Sequence, residues 1–308
     1  MNRTNAIICG IVKNCADTIE ANINLAIKTG EQFNTYKLII YENNSTDGTK
    51  SLLKRHASNP NIKVVSEDIN PDIIKQTSRI WSYKEVTGSD HPCRIEQIAN
   101  ARNRVIDEIM NPEYDNFSHV VWIDLDSNGW LIEGIGDSFE RTSRWDVIYA
   151  NGINPNRTYY DMYALRMLTT QDLCFGPEIV GEHFWNNLKT NMNLIGDTEL
   201  IPVCSAFGGI GIFKKEIFQK YRYDCIANNA VKTFYKNIVS KSKLNDKYKS
   251  LIQSPDIKFP NGYVEDNIFW KSNSGYDKPV VCEHVCLNLD LYNNGYKMFI
   301  NPKMIYFR

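Results

Sequence analysis

Two aspartates separated by one residue, Asp124 and Asp126, directly follow the apolar run at residues 120–123 and stand just before an Asn-Gly turn. Carboxylate oxygens are the ligands that Mg²⁺ and Mn²⁺ prefer, and these ions leave coordination positions open for water and phosphate oxygens. An ion held by such a pair would neutralise a diphosphate leaving group. The other interpretation is two solvated acids at a turn, and we favour the metal site because the pair follows a predicted buried strand.

Three earlier apolar runs also end in polar residues. In chain order these are residues 6–12 before Lys13-Asn14, residues 37–41 before Glu42-Asn43, and residues 62–65 before Glu67-Asp68. The carboxyl ends of parallel strands meet at one edge of a sheet, which is where open α/β sheets bind ligands. We therefore expect these polar residues to share one site with the two aspartates.

Helical patterns separate the apolar runs, near residues 16–28, from the turn at 43–48 through residue 56, and over 95–109. This alternation predicts an α/β protein with a Rossmann-like, mostly parallel central sheet flanked by helices. The second half is less regular. There we expect strands at 147–150, 210–213 and 280–281, helices near 214–220 and 264–271, and a helical insertion or mobile lid over 228–254.

Two motifs before the aspartates carry a family resemblance. The run Tyr-Glu-Asn-Asn-Ser-Thr-Asp-Gly-Thr at 41–49 resembles the acidic loop of family 2 glycosyltransferases, and Ala-Arg-Asn at 101–103 resembles the motif before their metal site. The resemblance implies a single GT-A domain over residues 1–308. Its nucleotide-sugar-binding half would be residues 1–127, and its acceptor-binding and catalytic half residues 128–308.

The resemblance also implies a set of residues for the nucleotide-sugar donor. A carboxylate such as Glu42 can accept hydrogen bonds from a uracil or guanine N–H, although family members usually carry Asp there, which leaves the base open. Arg102 would orient Asp124, meet phosphate, or form a structural salt bridge. The donor-binding residues so implied are Ile11, Lys13, Asn14, Glu42, Asn43, Asp47, Arg102, Asp124, Gly208 and Gly209.

Three further positions in the second half match the GT-A pattern. The glycines at 208–209 resemble a loop that approaches the sugar closely, or form a tight turn before a strand. In Val-Glu-Asp at 264–266, Asp266, or less favourably Glu265, would act as general base on the acceptor, the alternative being a helix cap. His284 would join Asp124 and Asp126 as a metal ligand. Zinc on Cys282, His284 and Cys286 is disfavoured by their spacing.

A looser resemblance concerns the acceptor side. Residues 159–166 and 202–204 resemble segments of fungal capsule-associated mannosyltransferases. That relationship would favour a GDP-sugar and a retaining mechanism, against a general base at Asp266. Trp185 and Trp270 would stack on sugar rings or pack in the core.

Composition excludes some classes of protein. With 35 Lys+Arg against 36 Asp+Glu, the net charge of -1 argues against a nucleic-acid partner. The eight scattered cysteines are typical of reduced core residues. No signal peptide or membrane-spanning run is recognisable, so we expect a cytoplasmic protein, soluble or peripheral at a membrane. Heavy use of Asn, Lys and Ile suggests a large DNA virus or a bacterium as the source.

The predicted activity is transfer of a sugar from a UDP- or GDP-sugar to a hydroxyl of a saccharide, glycolipid or glycoprotein, with Mn²⁺ or Mg²⁺ as cofactor. A sugar nucleotidyltransferase is one alternative, but residues 10–14 are a poor version of the Gly-rich basic loop it needs. An inactive GT-A-like sugar-binding module is the other. A Rossmann dehydrogenase is disfavoured because no Gly-x-Gly-x-x-Gly follows a predicted strand.

Overall fold

An eight-stranded mixed sheet runs through both halves of the chain in the computed structural model, which describes residues 4–82, 88–188, 192–241, 243–257, 261–272 and 275–308. Its strands stand in the order β3-β2-β1-β4-β7-β5-β10-β6. They are β1 (Asn5–Val12), β2 (Thr35–Asn43), β3 (Ile62–Glu67), β4 (His119–Ile123), β5 (Val147–Ile153), β6 (Ile201–Pro202), β7 (Ile210–Lys214) and β10 (Met298–Phe307). A separate hairpin pairs β8 (Gly262–Glu265) with β9 (Ile268–Lys271).

Helices cover the sheet and fill the connections. They are α1 (Ala16–Gly30), α2 (Thr49–Arg55), α3 (Pro71–Thr77), α4 (Arg94–Ile109), α5 (Ile132–Glu140), α6 (Gln171–Cys174), α7 (Pro177–Val180), α8 (Glu182–Leu188), α9 (Ile217–Lys220), α10 (Asn229–Lys241), α11 (Asp246–Gln253) and α12 (Glu283–Asn293). None of the helices in these ranges is long and apolar enough to cross a membrane.

Burial of the central strands on both faces explains their unbroken apolar character. In β1, Ile7 and Cys9 face the core layer that includes α4, whereas Ile8 and Val12 face the layer that includes α1. Strands β1 to β5 and β10 share one direction, and β6 and β7 run against them. The expected α/β architecture with a mostly parallel central sheet is therefore confirmed.

The second half departs from the sequence prediction in several elements. Residues 264–271, predicted as a helix, form most of the β8–β9 hairpin, and residues 280–281 lead into α12 instead of forming a strand. Strand β10 and helices α5 and α12 were not predicted. Of the two interpretations of residues 228–254, the helical insertion is confirmed, because α10 and α11 bury six apolar or aromatic side chains, Val231, Phe234, Tyr235, Ile238, Tyr248 and Ile252. Residue 242 in this region lies outside the described ranges.

The cysteines agree with the expectation of reduced core residues. All eight are buried and free.

Candidate active site

A cavity of about 580 Å³ opens at the carboxyl ends of β1 and β4, and residues from both halves of the chain line it. The side chains that bear on its chemistry are Lys13, Asn14, Asn43, Arg94, Arg102, Asp124, Asp126, Tyr160, Asp161, Phe207, Glu283, His284 and Arg308. The structure thus brings the aspartate pair, His284 and the ends of β1 and β2 to one place, as parallel strands require.

Asp124 and Asp126 follow β4 and differ in exposure. The Asp124 amide donates to the Gly209 carbonyl at 3.0 Å, which fixes the start of the segment. The Asp124 side chain is 19% exposed and that of Asp126 is 47% exposed. Burial raises the pKa of Asp124 to about 6, although the Arg102 charge lowers it and the Asp126 charge raises it further.

Arg102, on α4, is a buried cation that joins two carboxylates. Its guanidinium lies 3.1 Å from Asp124 Oδ1 and 3.2 Å from Glu283 Oε1. Three aromatic rings surround it, with centroids 5.4 Å away for Trp122, 4.9 Å for Phe207 and 5.6 Å for Tyr223. Of the roles expected for Arg102, this geometry fits both a structural salt bridge and orientation of Asp124.

Two carboxylates of the cavity were not predicted. Asp161 has a left-handed backbone, with φ of 71°, and burial raises its pKa to about 8, helped by the charges of Glu283 and Asp124. Glu283 is buried at the start of α12. The sequence signals were weak, because Asp161 is an acid within a Tyr-rich segment and Glu283 precedes the predicted ligand His284. Together with Asp124 they give the cavity a cluster of buried carboxyl groups, and burial with their mutual repulsion keeps the proton on Asp161 up to about pH 8.

His284 lies in the cavity wall as a neutral imidazole. It stacks on Phe207 with the ring centroids 3.9 Å apart, and Tyr223 meets it edge-on. Burial, and secondarily the Arg102 charge, hold its pKa well below the usual value. Neither ring nitrogen has a hydrogen-bond partner among the described residues, and Nε2 lies 3.4 Å from Glu283 Oε1. A buried nitrogen without a partner is available to a ligand.

The donor set of the cavity fits a divalent ion in its chemistry, since two carboxylates and a neutral imidazole suit Mn²⁺ or Mg²⁺. Within the described ranges, however, no three His, Cys, Asp or Glu side chains are already grouped to hold a metal. Asp124 is paired with Arg102, and Asp126 Oδ2 lies 2.9 Å from the Arg308 guanidinium.

The acidic loop supports the cavity wall rather than lining it with carboxylates. Glu42 is fully buried and accepts hydrogen bonds from the Ser45 amide and the Ser66 hydroxyl. Asp47 accepts from the backbone amides of Ala16 and Thr49, at 3.0 and 2.9 Å. A side-chain hydrogen bond with Thr49, and after it these two backbone bonds, lower the pKa of Asp47. The predicted donor residues that the structure does place in the wall here are Ile11, Lys13, Asn14 and Asn43.

The glycines at the start of β7 shape the site through close approach. Gly208 and Gly209 have φ of 63° and 88°, and a Cβ on Gly209 would lie 2.3 Å from the Tyr306 ring. Both lie just behind Phe207, which is the residue of this loop that lines the cavity. They permit the close approach of this loop to the β5 backbone and to Tyr306 of β10, and neither is among the lining residues.

Glu265 and Asp266 are not brought to the cavity. They occupy the end of β8 and the hairpin turn, where Asp266 has a left-handed φ of 53°. Glu265 pairs with Lys232 at 2.6 Å and Asp266 with Lys236 at 2.9 Å, both on α10.

The two tryptophans expected at sugar rings are both buried. Trp185 is 7% exposed and Trp270 1% exposed. Both therefore pack in the core.

Several proteins of known family or structure are similar to this chain. The family model described as cryptococcal mannosyltransferase 1 matches residues 16–238. No curated protein sequence matches the chain. One similar solved structure is TarS of S. aureus, at 11% identity and TM-score 0.47, with the match covering 99% of this chain and 36% of that one. Another is GalNAc-T7 with UDP, GalNAc and Mn²⁺, at 11% identity and TM-score 0.44, with the match covering 100% of this chain and 45% of that one.

A third is the mannosyltransferase PcManGT from Pyrobaculum calidifontis with GDP-Man and Mn²⁺, at 13% identity and TM-score 0.42, covering 99% of this chain and 57% of that one. The chain thus spans 36% to 57% of the length of these three proteins. They are too distant for an activity or a ligand to be transferred from them.

Proposed function

Because this chain belongs to the cryptococcal mannosyltransferase 1 family, we propose that it transfers a sugar from a nucleoside-diphosphate sugar to an acceptor hydroxyl. The observation that carries the proposal is the meeting of Asp124, Asp126 and His284 in one cavity at the carboxyl edge of the sheet. That position in an α/β sheet is where a nucleotide is bound, and these side chains suit a divalent ion. In this sheet β4 pairs in parallel with β1 and antiparallel with β7, so the aspartates that follow β4 lie at the edge where β1 and β2 also end.

In this proposal some cavity residues bind the metal ion, and others orient its ligands or contact the nucleotide. Asp124, Asp126 and His284 would hold Mn²⁺ or Mg²⁺, which supplies charge neutralisation for the departing diphosphate. Arg102 fixes the Asp124 carboxyl through its hydrogen bond and keeps Glu283 beside it. Lys13 and Asn14 at the end of β1 and Asn43 at the end of β2 would contact the nucleotide.

The acceptor side of the proposal rests on Asp161 and Glu283. Their carboxyl groups line the same cavity and would hydrogen-bond to sugar hydroxyls. A general-base role for Asp266 or Glu265 is left out of the proposal, because both lie outside the cavity wall and are paired with lysines.

The transferred sugar and the acceptor are proposed only by class. Membership of a mannosyltransferase family points to a mannosyl donor, so GDP-mannose is the first donor to test and UDP-sugars are the second. The acceptor would be a saccharide, glycolipid or glycoprotein with a free hydroxyl.

Replacing Asp126 with Asn tests the proposal. We expect metal-stimulated donor hydrolysis and transfer to fall by about 100-fold or more, because the loss removes several kcal/mol of charge stabilisation from the transition state. The measurement is nucleoside diphosphate release from GDP-mannose and UDP-sugars with Mn²⁺ and with EDTA. Pyrophosphate as the product would instead identify a nucleotidyltransferase.

A matched control is Asp107→Asn, which changes a 59% exposed carboxylate on α4 away from the cavity. This variant is expected to keep wild-type activity. Undiminished transfer by Asp126→Asn in the presence of EDTA would refute the metal role.

A further inference from the structure

Arg308 holds the carboxylate that the proposed metal needs. Its Nη1 lies 2.9 Å from Asp126 Oδ2 and donates to the Asp126 carbonyl at 3.1 Å. The guanidinium carbon lies 5.4 Å from the Tyr160 ring centroid, and Tyr160 stacks on Tyr306 at 5.8 Å. A cation therefore already sits on the more exposed of the two aspartates.

The two arginines of the aspartate pair are held very differently. The Arg102 side chain is 4% exposed and lies among three rings and two carboxylates. The Arg308 side chain is 39% exposed, and its pair with Asp126 is open to water. An exposed ion pair contributes little stability, so a divalent ion that binds Asp126 displaces Arg308 at small cost.

The backbone keeps Arg308 at the cavity when its side chain is displaced. The Arg308 amide donates to the Ile153 carbonyl at 3.0 Å, which extends the pairing of β10 with β5 to this residue. The side chain can then turn over the face of Tyr160 without moving the strand. Once the metal displaces it, the guanidinium can bind the donor diphosphate, because a guanidinium donates two parallel N–H···O bonds to a phosphate group.

We propose that Arg308 is a donor-binding residue that occupies Asp126 in the metal-free protein and contacts the donor diphosphate once a divalent ion takes that carboxylate. This inference rests on the proposed function. It predicts that one side chain opposes metal binding and supports nucleotide binding. A purely structural arginine would do neither.

Calorimetric titrations of Arg308→Gln test the inference, first with Mn²⁺ alone and then with GDP or UDP at saturating Mn²⁺. Mn²⁺ alone is expected to bind about two- to five-fold more tightly than to wild type, because its competitor for Asp126 is gone. The nucleoside diphosphate is expected to bind about tenfold more weakly, because a charge-assisted pair is lost. Arg308→Lys should recover part of the nucleotide affinity.

Arg144→Gln is the matched control, since Arg144 forms an exposed pair with Glu199 away from the cavity and should leave both affinities unchanged. The inference is overturned if Arg308→Gln weakens or leaves unchanged the binding of Mn²⁺, or if it leaves nucleotide binding unchanged. A wild-type protein that binds neither Mn²⁺ nor nucleotide overturns the proposed function itself. If wild type binds Mn²⁺ and nucleotide and Arg308→Gln binds both with unchanged affinity, only the role of Arg308 is overturned.

Discussion

At the scale of single residues, burial and neighbouring carboxylates oppose ionisation of Asp161. Its carboxyl group lies near Glu283 and Asp124, and burial raises its pKa from 3.8 to about 8. In the unfolded chain the group ionises near 3.8, so between that pH and 8 the folded state holds a proton that the unfolded state has lost. Stability must therefore fall as the pH rises through this window.

Asp161→Asn should remove that part of the pH dependence. At pH 8 we expect the variant to be more stable than wild type by about 1 kcal/mol or more, about 2 °C in melting temperature, and to lose the advantage near pH 4. Asn tolerates the left-handed backbone at this position. Thermal denaturation from pH 4 to 8 is the measurement, with Asp107→Asn as the control, and parallel profiles for wild type and Asp161→Asn would contradict the account.

The sequence predicts those cavity residues that lie in a recognisable motif or directly after a buried strand. Asp124 and Asp126 follow a buried strand, and Arg102 stands in a recognisable motif. Asp161 lies in a segment with a loose family resemblance and Glu283 precedes a predicted ligand, but neither signal assigned these residues a role, and Arg308 has no local signal. Their place in the cavity depends on contacts with distant parts of the chain, which residue type and spacing do not encode.

At the scale of elements, the packing of the loop before β7 against β10 depends on a glycine. Gly209 has φ of 88°, and an added Cβ would lie 2.3 Å from the Tyr306 ring. Tyr306 donates its hydroxyl to the Asp124 carbonyl at 3.1 Å and stacks under Tyr160. A side chain at Gly209 would thus displace the ring that supports both the aspartate segment and the cavity wall.

Gly209→Ala should lower the free energy of unfolding by about 2–4 kcal/mol, as the sum of a left-handed alanine and an overpacked contact. Gly196→Ala is the matched control, because Gly196 also has a left-handed φ of 98° but no atom within 4 Å of its added Cβ. That control should cost only about 1–2 kcal/mol. Denaturant unfolding measures both, and equal losses would show that the Tyr306 contact yields without cost.

The elements that sequence reasoning missed have identifiable physical reasons. Residues 264–271 contain an Asp-Asn pair whose left-handed backbone, with φ of 53° and 62°, makes a tight hairpin turn. Strand β10 contains Pro302, and a register shift between Asn301 and Ile305 accommodates it. Helix α12 is buried on nearly every side, so it lacks the polar face that marks a surface helix.

At the scale of the whole molecule, a buried ion pair braces the cavity wall against the helical insertion. Arg166 and Glu178 are both fully buried and 2.7 Å apart, and Tyr235 of α10 bonds to each of them. Arg166 also donates to the Tyr163 carbonyl at 3.0 Å. The segment that carries Asp161 is therefore fixed by a residue of α7 and a residue of α10.

Glu178→Ala should destabilise the protein by about 3–5 kcal/mol, because it leaves the Arg166 charge buried without its partner. Asp68→Ala is the comparison, since that carboxylate is 75% exposed in its pair with Lys50 and should cost less than about 1 kcal/mol. Chemical denaturation measures the two losses. Similar small values for both would mean that the buried pair contributes no more than a surface pair.

The sequence predicts the first half of the sheet better than the second half. Burial on both faces makes the strands β1 to β4 readable as apolar runs, and their shared polar edge follows from parallel pairing. The reversed β7 and the return of β10 to the sheet are decided by tertiary pairing between distant parts of the chain, such as Ile123 with Ile210 and Val147 with Met298.

The position of β10 beside the aspartate segment affects how the protein folds during its synthesis. Hydrogen bonds that complete the cavity join residues 181 or 182 positions apart, from Arg102 to Glu283, from Asp124 to Tyr306 and from Asp126 to Arg308. Contacts of such long range form late, because a large loop must close before they are made. On the ribosome, a nascent chain can therefore assemble its first strands and helices before Glu283, Tyr306 and Arg308 add their side of the cavity.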